Sequence, residues 1–268
     1  MKPRSAPAGN ALPPPEASSR PSLIETSLLL RPDLVGAVAR AWEHIAAPGI
    51  AWSRGERVAI AAEARQATSC RLCRERGQAL TAYQVDGTHT SIGALPVAAV
   101  DAVHRIVTDP ARLTERWYLR MLESGLSAAQ YVELVGVVAA LVAVDTLARL
   151  LGSPPPPLPA PRLGAPSAHI EDAAGRHTSW VPTVPPDAAE GKLLDLYRNH
   201  LTNGWGLIPN IQRALTLVPE EQEMLSFLQE GMYVPLTAMG GSGGGRALLP
   251  TQIELVAATV SAANGCFY

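Results

Sequence analysis

Three cysteines and two glutamates are the residues whose types and spacing could do chemistry. Cys70-Arg71-Leu72-Cys73 places two thiols three residues apart. On a helix that spacing puts them on one face, close enough to bridge. A thiolate at a helix start is further stabilised by unpaired backbone N–H groups. Arg71 and Arg74 are expected to lower the thiol pKa further, so the pair points to redox chemistry. Zinc binding would need a second pair of ligands, and no second CxxC or HxxxH is present; the sequence therefore gives no metal and no cofactor. Glu254 lies twelve residues before Cys266. One straight helix would separate the two by about 18 Å on different faces, so their cooperation requires a break, which Asn264-Gly265 can supply. A carboxylate within reach of a thiol can then act as general base; the alternative is a solvated helix-start glutamate. Glu63, seven residues before Cys70 and about 10 Å away on the same helical face, is a substitute base for the first pair.

These residues need helices to position them, and helical periodicity dominates the chain. Candidate helices cover about 32–47, 54–70, 73–83, 96–108, 114–123 and 127–151. Ser127 serves as an N-cap, Gly125 closes the helix before it, and Gly152 with the prolines after it stops the last one. "GSPPPPLPAPRLGAPS" cannot continue a helix and reads as an extended polyproline linker. Helical pattern returns in "AAEGKLLDLYRNH", "IPNIQRALTLVPEEQEMLSFLQEGMYVP" and "LPTQIELVAATVSAANGC". The glycine run "GGSGGG" lacks the lysine and the strand of a phosphate loop and reads as a linker. The organisation expected is all-α: a disordered start over 1–21, a first helical domain over 22–152, a proline-rich linker over 153–187, and a second, shorter helical region over 188–268.

Composition excludes several classes. With 47% hydrophobic residues, the chain can bury a substantial core. A net charge of −2 and a pI near 6.3 give no reason to expect a nucleic acid or an anionic membrane as partner. Leu134 to Val144 is apolar over about half the length a spanning helix needs and is bracketed by Glu133 and Asp145. No signal-like segment opens the chain, and a cytoplasmic location is expected. His104 reads as a structural histidine on an amphipathic helix. His89, His169, His177 and His200 have no paired ligand spacing and are given no role. Glu133 and Asp145 repeat the twelve-residue spacing without a thiol.

"ERVAIAAEARQATSC" and "TQIELVAATVSAANGC" form a weak internal repeat, each an apolar helix running into cysteine. "IPNIQRALTLVPE" followed by "LPTQIELVAATVSAANGCFY" resembles the first half of the alkylhydroperoxidase D and carboxymuconolactone decarboxylase family, in its peroxidase-related branch. That family's motif is a glutamate, eleven residues, CxxC and a histidine. Glu254 and Cys266 match its first two elements, and the remainder would begin after Tyr268. The resemblance implies that the motif continues there, either as a selenocysteine encoded by UGA, as in selenoproteins related to the family, or as a cysteine beyond a deliberate cut. The first region is similar to the family too, in "LPVAAVDAVHRIVTDPARLTERWYLRMLESGLSAAQYVELVGVVAALVAVDTLARLLG". Its motif departs from the pattern: Val58 stands where the glutamate belongs and Gly77 where the histidine does.

From this resemblance follows the expectation of a duplicated alkylhydroperoxidase D-like domain with its second copy truncated. It implies a thiol- or selenol-dependent peroxidase or disulfide oxidoreductase, with Cys266 and Glu254 as the main centre and Cys70, Cys73 and Glu63 as a second. Hydroperoxide or disulfide would be the substrate and an external dithiol the electron donor. Assembly would be as a homotrimer or homohexamer. A non-redox decarboxylase-like enzyme and a non-catalytic helical assembly protein are the alternatives.

Overall fold

The computed structural model describes residues 30–168, 172–176, 179–203, 206–238 and 245–266. The start over 1–21, His169, His177, Phe267, Tyr268 and most of the glycine run lie outside the described residues. Those described form nine α-helices and no strand; only one isolated bridge joins Gly175 and Thr183. The protein is all-α.

Helix α1 (Pro32–Ala46) begins with proline, whose fixed φ suits a first helical turn, and buries Leu34, Ala37, Ala41 and Ile45 along one stripe. Helix α2 (Arg54–Ala67) opens on a reciprocal capping box between Ser53 and Glu56. It ends three residues before the expected Cys70. The hydroxyls of Thr68 and Ser69 donate to the carbonyls of Arg65 and Gln66, and the chain turns into extended geometry at Cys70. Helix α3 (Arg71–Gln78) follows, starting earlier and ending sooner than its periodicity suggests. The Arg112 guanidinium donates to the carbonyls of Arg76 and Ala79 at 2.8 Å each, satisfying the orphan acceptors of its last turn.

After an irregular segment come α4 (Val97–Thr108), α5 (Glu115–Glu123) and α6 (Ala128–Leu150), the last capped by Ser127 and Gln130 in a second capping box. By length and composition α6 could cross a membrane, but 61% of its most apolar window is buried by the surrounding helices, as in a core helix. Helices α1, α2 and α4 pack around α6, and the largest fully buried side chains include Trp52, Ile60, Leu134 and Leu141. Each such side chain contributes about 1.5–3 kcal/mol by leaving water.

The proline-rich segment has no helix or strand over 153–168 and lies against this bundle. Trp42 Nε1 donates to the Pro157 carbonyl at 2.9 Å, Arg65 to the Pro156 carbonyl at 2.7 Å, and Arg162 N to the Ala46 carbonyl at 2.8 Å. Beyond it are α7 (Gly191–Asn203), α8 (Pro219–Met232) and α9 (Pro250–Ala263). Helix α8 packs on α1 and α6, so Leu215, Leu217, Met224 and Leu228 belong to the same apolar core as the first region. Small residues set the approach: a Cβ on Gly231 would sit 2.6 Å from the Ala37 Cβ.

A buried ionic cluster joins the two regions. Arg57 on α2 donates to Glu133 on α6 and Glu221 on α8, at 2.6 Å each, and His44 Nε2 lies 2.8 Å from Glu221. The other Glu133 oxygen accepts from the backbone N–H groups of Ile50, Ala51 and Trp52. Glu133 thus has a structural place, and Asp145 likewise forms a two-bond ion pair with Arg65. In contrast, α9 buries none of its residues, and Leu255, Val256 and Val260 stand exposed on it.

Candidate functional site

The local fold brings three other pieces of chain to Cys70 and Cys73. Cys70 is the N-cap of α3 and Cys73 lies in its first turn, so the thiols do sit at a helix start, as expected. Both are buried. His89 comes from the segment before α4, His104 from the middle of α4, and Glu63 from α2. Cys73 Sγ lies 3.1 Å from His104 Nδ1 and 3.5 Å from His89 Nδ1, while Cys70 Sγ lies 3.6 Å from His89 Nδ1. The Thr90 N–H donates to Cys70 Sγ at 3.4 Å.

Behind each imidazole stands a carboxylate. His104 Nε2 meets Glu63 Oε1 at 2.8 Å, and His89 Nε2 meets Asp101 Oδ1 at 3.0 Å. Glu63 is fully buried, and its second oxygen accepts from Ser91 Oγ and the Ile92 N–H. Asp101 also accepts from Arg76 at 2.8 Å and from Trp117 Nε1 at 3.0 Å. Asp101 and His104 are three residues apart on α4 and so share its face toward α3.

The electrostatics follow. Burial pushes the Cys73 thiol up, but hydrogen bonds from His104, His89 and Thr108 outweigh it and bring the thiol down to about 6. Burial also opposes ionisation of Cys70, while the N–H groups of Cys73 and Thr90 and the His89 ring lower it. For His89, burial disfavours the charge, yet the bond to Asp101 and the two sulfurs raise it to about 10. His104 is raised as well, burial being outweighed by Cys73 and Glu63. Asp101 is held well below the ordinary carboxylate range: burial opposes this, and its bonds from His89, Trp117 and Arg76 prevail.

Arg71 and Arg74 are both exposed, and neither is among the leading causes of the cysteine shifts. Arg71 is exposed and paired with Glu75 at 2.7 Å; the arginine at the site is Arg76, beside His89 and Asp101. Glu63 reaches the site, but through His104 and onto Cys73 rather than directly onto Cys70. His104 is no mere core histidine, and His89, which the sequence left without a role, touches both sulfurs. The signal was available: a CxxC followed by two histidines within 31 residues of Cys73, the second completing an Asp-x-x-His on a helix. A search confined to regularly spaced ligand pairs passes over it.

The second expected centre is not assembled among the described residues. Glu254 is exposed and accepts from the Tyr233 hydroxyl at 2.5 Å; burial and the neighbouring carboxylate together raise the tyrosine well above its ordinary value. Helix α9 runs unbroken from Pro250 to Ala263, placing about 14 Å of axis between Glu254 and the helix end. The break at Asn264-Gly265 exists, Gly265 having a φ of +65°, but Cys266 beyond it is exposed and its N–H closes back on the Ser261 carbonyl. Nearby, between α7 and α8, His200, Gln212 and Tyr233 line an apolar cavity of about 430 Å³ that contains neither cysteine nor Glu254.

No family model, no curated protein and no solved structure matches the chain.

Proposed function

We propose that the protein is a thiol-dependent oxidoreductase of the cytoplasm that reduces hydroperoxides, or the disulfide of a partner, through Cys70 and Cys73. The observation carrying this reading is the line Cys73 Sγ, His104, Glu63, with contacts of 3.1 and 2.8 Å, a base held by a carboxylate beside one member of a thiol pair. It moves the chemistry from Cys266, where the family resemblance puts it, to the first pair.

In the proposed cycle, His104 takes the Cys73 proton, and the thiolate attacks the outer peroxide oxygen. The O–O bond breaks; the alkoxide takes that proton from His104 and leaves as the alcohol, and Cys73 becomes a sulfenic acid. Cys70 then attacks the Cys73 sulfur, a disulfide forms, and the sulfenic oxygen leaves as water with the Cys70 proton. An external dithiol returns two electrons and two protons, restoring both thiols and becoming a disulfide itself. A second thiol within reach spares the first from over-oxidation. With a partner disulfide as substrate, the same thiolate forms a mixed disulfide that Cys70 resolves.

The exposed apolar residues of α9 support self-association, in keeping with the homotrimer or homohexamer that the resemblance implies. The test is peroxide-dependent oxidation of a small dithiol by reduced, chelator-treated protein. Cys73→Ser should abolish turnover, and Cys70→Ser should stop the cycle at a sulfenic acid trapped by dimedone. Cys266→Ser should leave turnover unchanged. Equal turnover by wild type and the Cys70→Ser/Cys73→Ser double variant would sink the reading.

A further inference from the structure

Four donor atoms converge where the thiol pair lies: the two sulfurs and the Nδ1 atoms of His89 and His104, all within 4.8 Å of one another. A zinc ion at tetrahedral angles, with bonds of about 2.3 Å to sulfur and about 2.0–2.1 Å to nitrogen, sets sulfur and nitrogen ligands about 3.6 Å apart. Three sulfur-nitrogen separations are 3.6, 3.5 and 3.1 Å: the two to His89 already match, and the contact of Cys73 with His104 has to open by about half an ångström. We propose that Cys70, Cys73, His89 and His104 form a tetrahedral binding site for a divalent transition-metal ion, zinc being the one this donor set fits best. The proposal does not depend on the redox reading.

Three observations besides the spacing carry it. First, each imidazole offers Nδ1 to the centre while its Nε2 lies on a buried or half-buried carboxylate, Asp101 for His89 and Glu63 for His104. An Nε2–H bonded to a carboxylate leaves the Nδ1 lone pair free, which fixes the tautomer and strengthens the ligand. Both carboxylates are themselves held, Glu63 by Ser91 and Ile92 and Asp101 by Arg76 and Trp117, so neither is a loose surface acid.

Second, the charges balance. Two thiolates and two neutral imidazoles around a divalent cation sum to zero. The donors also choose the ion: two sulfurs and two imidazoles suit zinc, whereas magnesium and calcium require oxygen.

Third, the surrounding fold is thin. Only Leu72 and Val85 accompany the two cysteines in their apolar cluster, and α3 has eight residues, too few to be stable alone. An ion at this point would tie the start of α3, the segment carrying His89 and the middle of α4 together. While it is bound both thiolates are ligands and neither is free to attack a peroxide, so metal binding and thiol oxidation exclude each other.

Cobalt(II) is the probe. The full chain, reduced and stripped with a chelator, is titrated with cobalt(II) chloride without oxygen. Expected are the visible bands of tetrahedral cobalt and a sulfur-to-cobalt charge-transfer band, saturating at one ion per chain and lost on adding zinc. Cys73→Ser should remove much of the charge-transfer band. Because that variant can also disturb folding, Asp101→Asn, which keeps all four ligands, is the second: affinity should fall by about 10–100-fold with the helical circular dichroism retained. A pale octahedral spectrum without charge transfer, or binding unaltered by Cys73→Ser, overturns the proposal. The same metal-free protein is then treated with peroxide. A cobalt-thiolate spectrum with no peroxide-driven Cys70–Cys73 disulfide upholds the metal site and sinks the redox reading; a disulfide without that spectrum does the reverse.

Discussion

Glu221 offers a quantitative test of how the two regions are joined. It is almost wholly buried and faces Arg57 and His44. Burial alone would push its carboxyl up, yet the charges and hydrogen bonds of these partners bring it from 4.5 down to about 2. A carboxylate depressed in the folded state contributes stability that is fully present above its unfolded pKa and is lost as pH falls toward the folded value. The window is therefore about pH 4.5 down to about 2, and the contribution at neutral pH is about 3 kcal/mol. Glu221→Gln removes it. Neighbouring Glu133, which burial raises and the charge of Glu221 raises further, is relieved by the same change, trimming the expected loss to about 2–3 kcal/mol. Urea denaturation of wild type and variant at pH 7 and at pH 3, followed by circular dichroism, measures both. The variant should be less stable at pH 7, and the difference should shrink by half or more at pH 3, because titrating groups remote from Glu221 cancel in the comparison. A difference independent of pH, or none at pH 7, would refute the account of Glu221 as an ionised partner of Arg57.

Gly49 faces the same cluster: a Cβ there would come 1.6 Å from Glu133 Oε1 and drive the carboxylate off three backbone donors and Arg57. Gly49→Ala should cost about 3 kcal/mol or more, whereas Gly36→Ala, on α1 with open space around it, should stabilise by about 0.5–1 kcal/mol; thermal unfolding of the two variants checks the contrast. Ser127→Ala breaks the capping box at the head of α6 and should lower stability by about 1 kcal/mol in the same assay, while Ser127→Asp should retain most of it.

The helices were legible because their signals are local. Ser53 with Glu56, Ser127 with Gln130, Pro32 and Gly152 mark boundaries through contacts within a few residues. Cys70 was placed inside the preceding helix because nothing in an apolar period announces that Thr68 and Ser69 turn their hydroxyls back onto it. At the site, Cys70, Cys73 and Glu63 were legible from residue type and spacing, but their connection was not. It runs through His104 and His89, brought in by the packing of α4 on α2 and α3, and a contact between elements leaves no period to read. Arg57 was hidden for the same reason: an arginine in an ordinary amphipathic helix gives no sign that two carboxylates, 76 and 164 residues away, meet on it. Glu254 and Cys266 show the converse, a spacing recognised from a motif without an assembled site.

Because α8 completes a core whose other helices end by Leu150, the order of synthesis matters. About 70 residues separate the end of α6 from the start of α8, and a ribosome adding about 5–20 residues per second needs roughly 4–14 seconds to bridge them. Throughout that interval the face of α1 and α6 awaiting α8 lies open, with Ala37 and Gly136 lacking the contacts that Gly231 and Glu221 make with them, and Arg57 has Glu133 but not Glu221. The nascent first region therefore spends its early seconds as a bundle with a groove in it, one that chaperones or a neighbouring nascent chain can enter before its own α8 arrives.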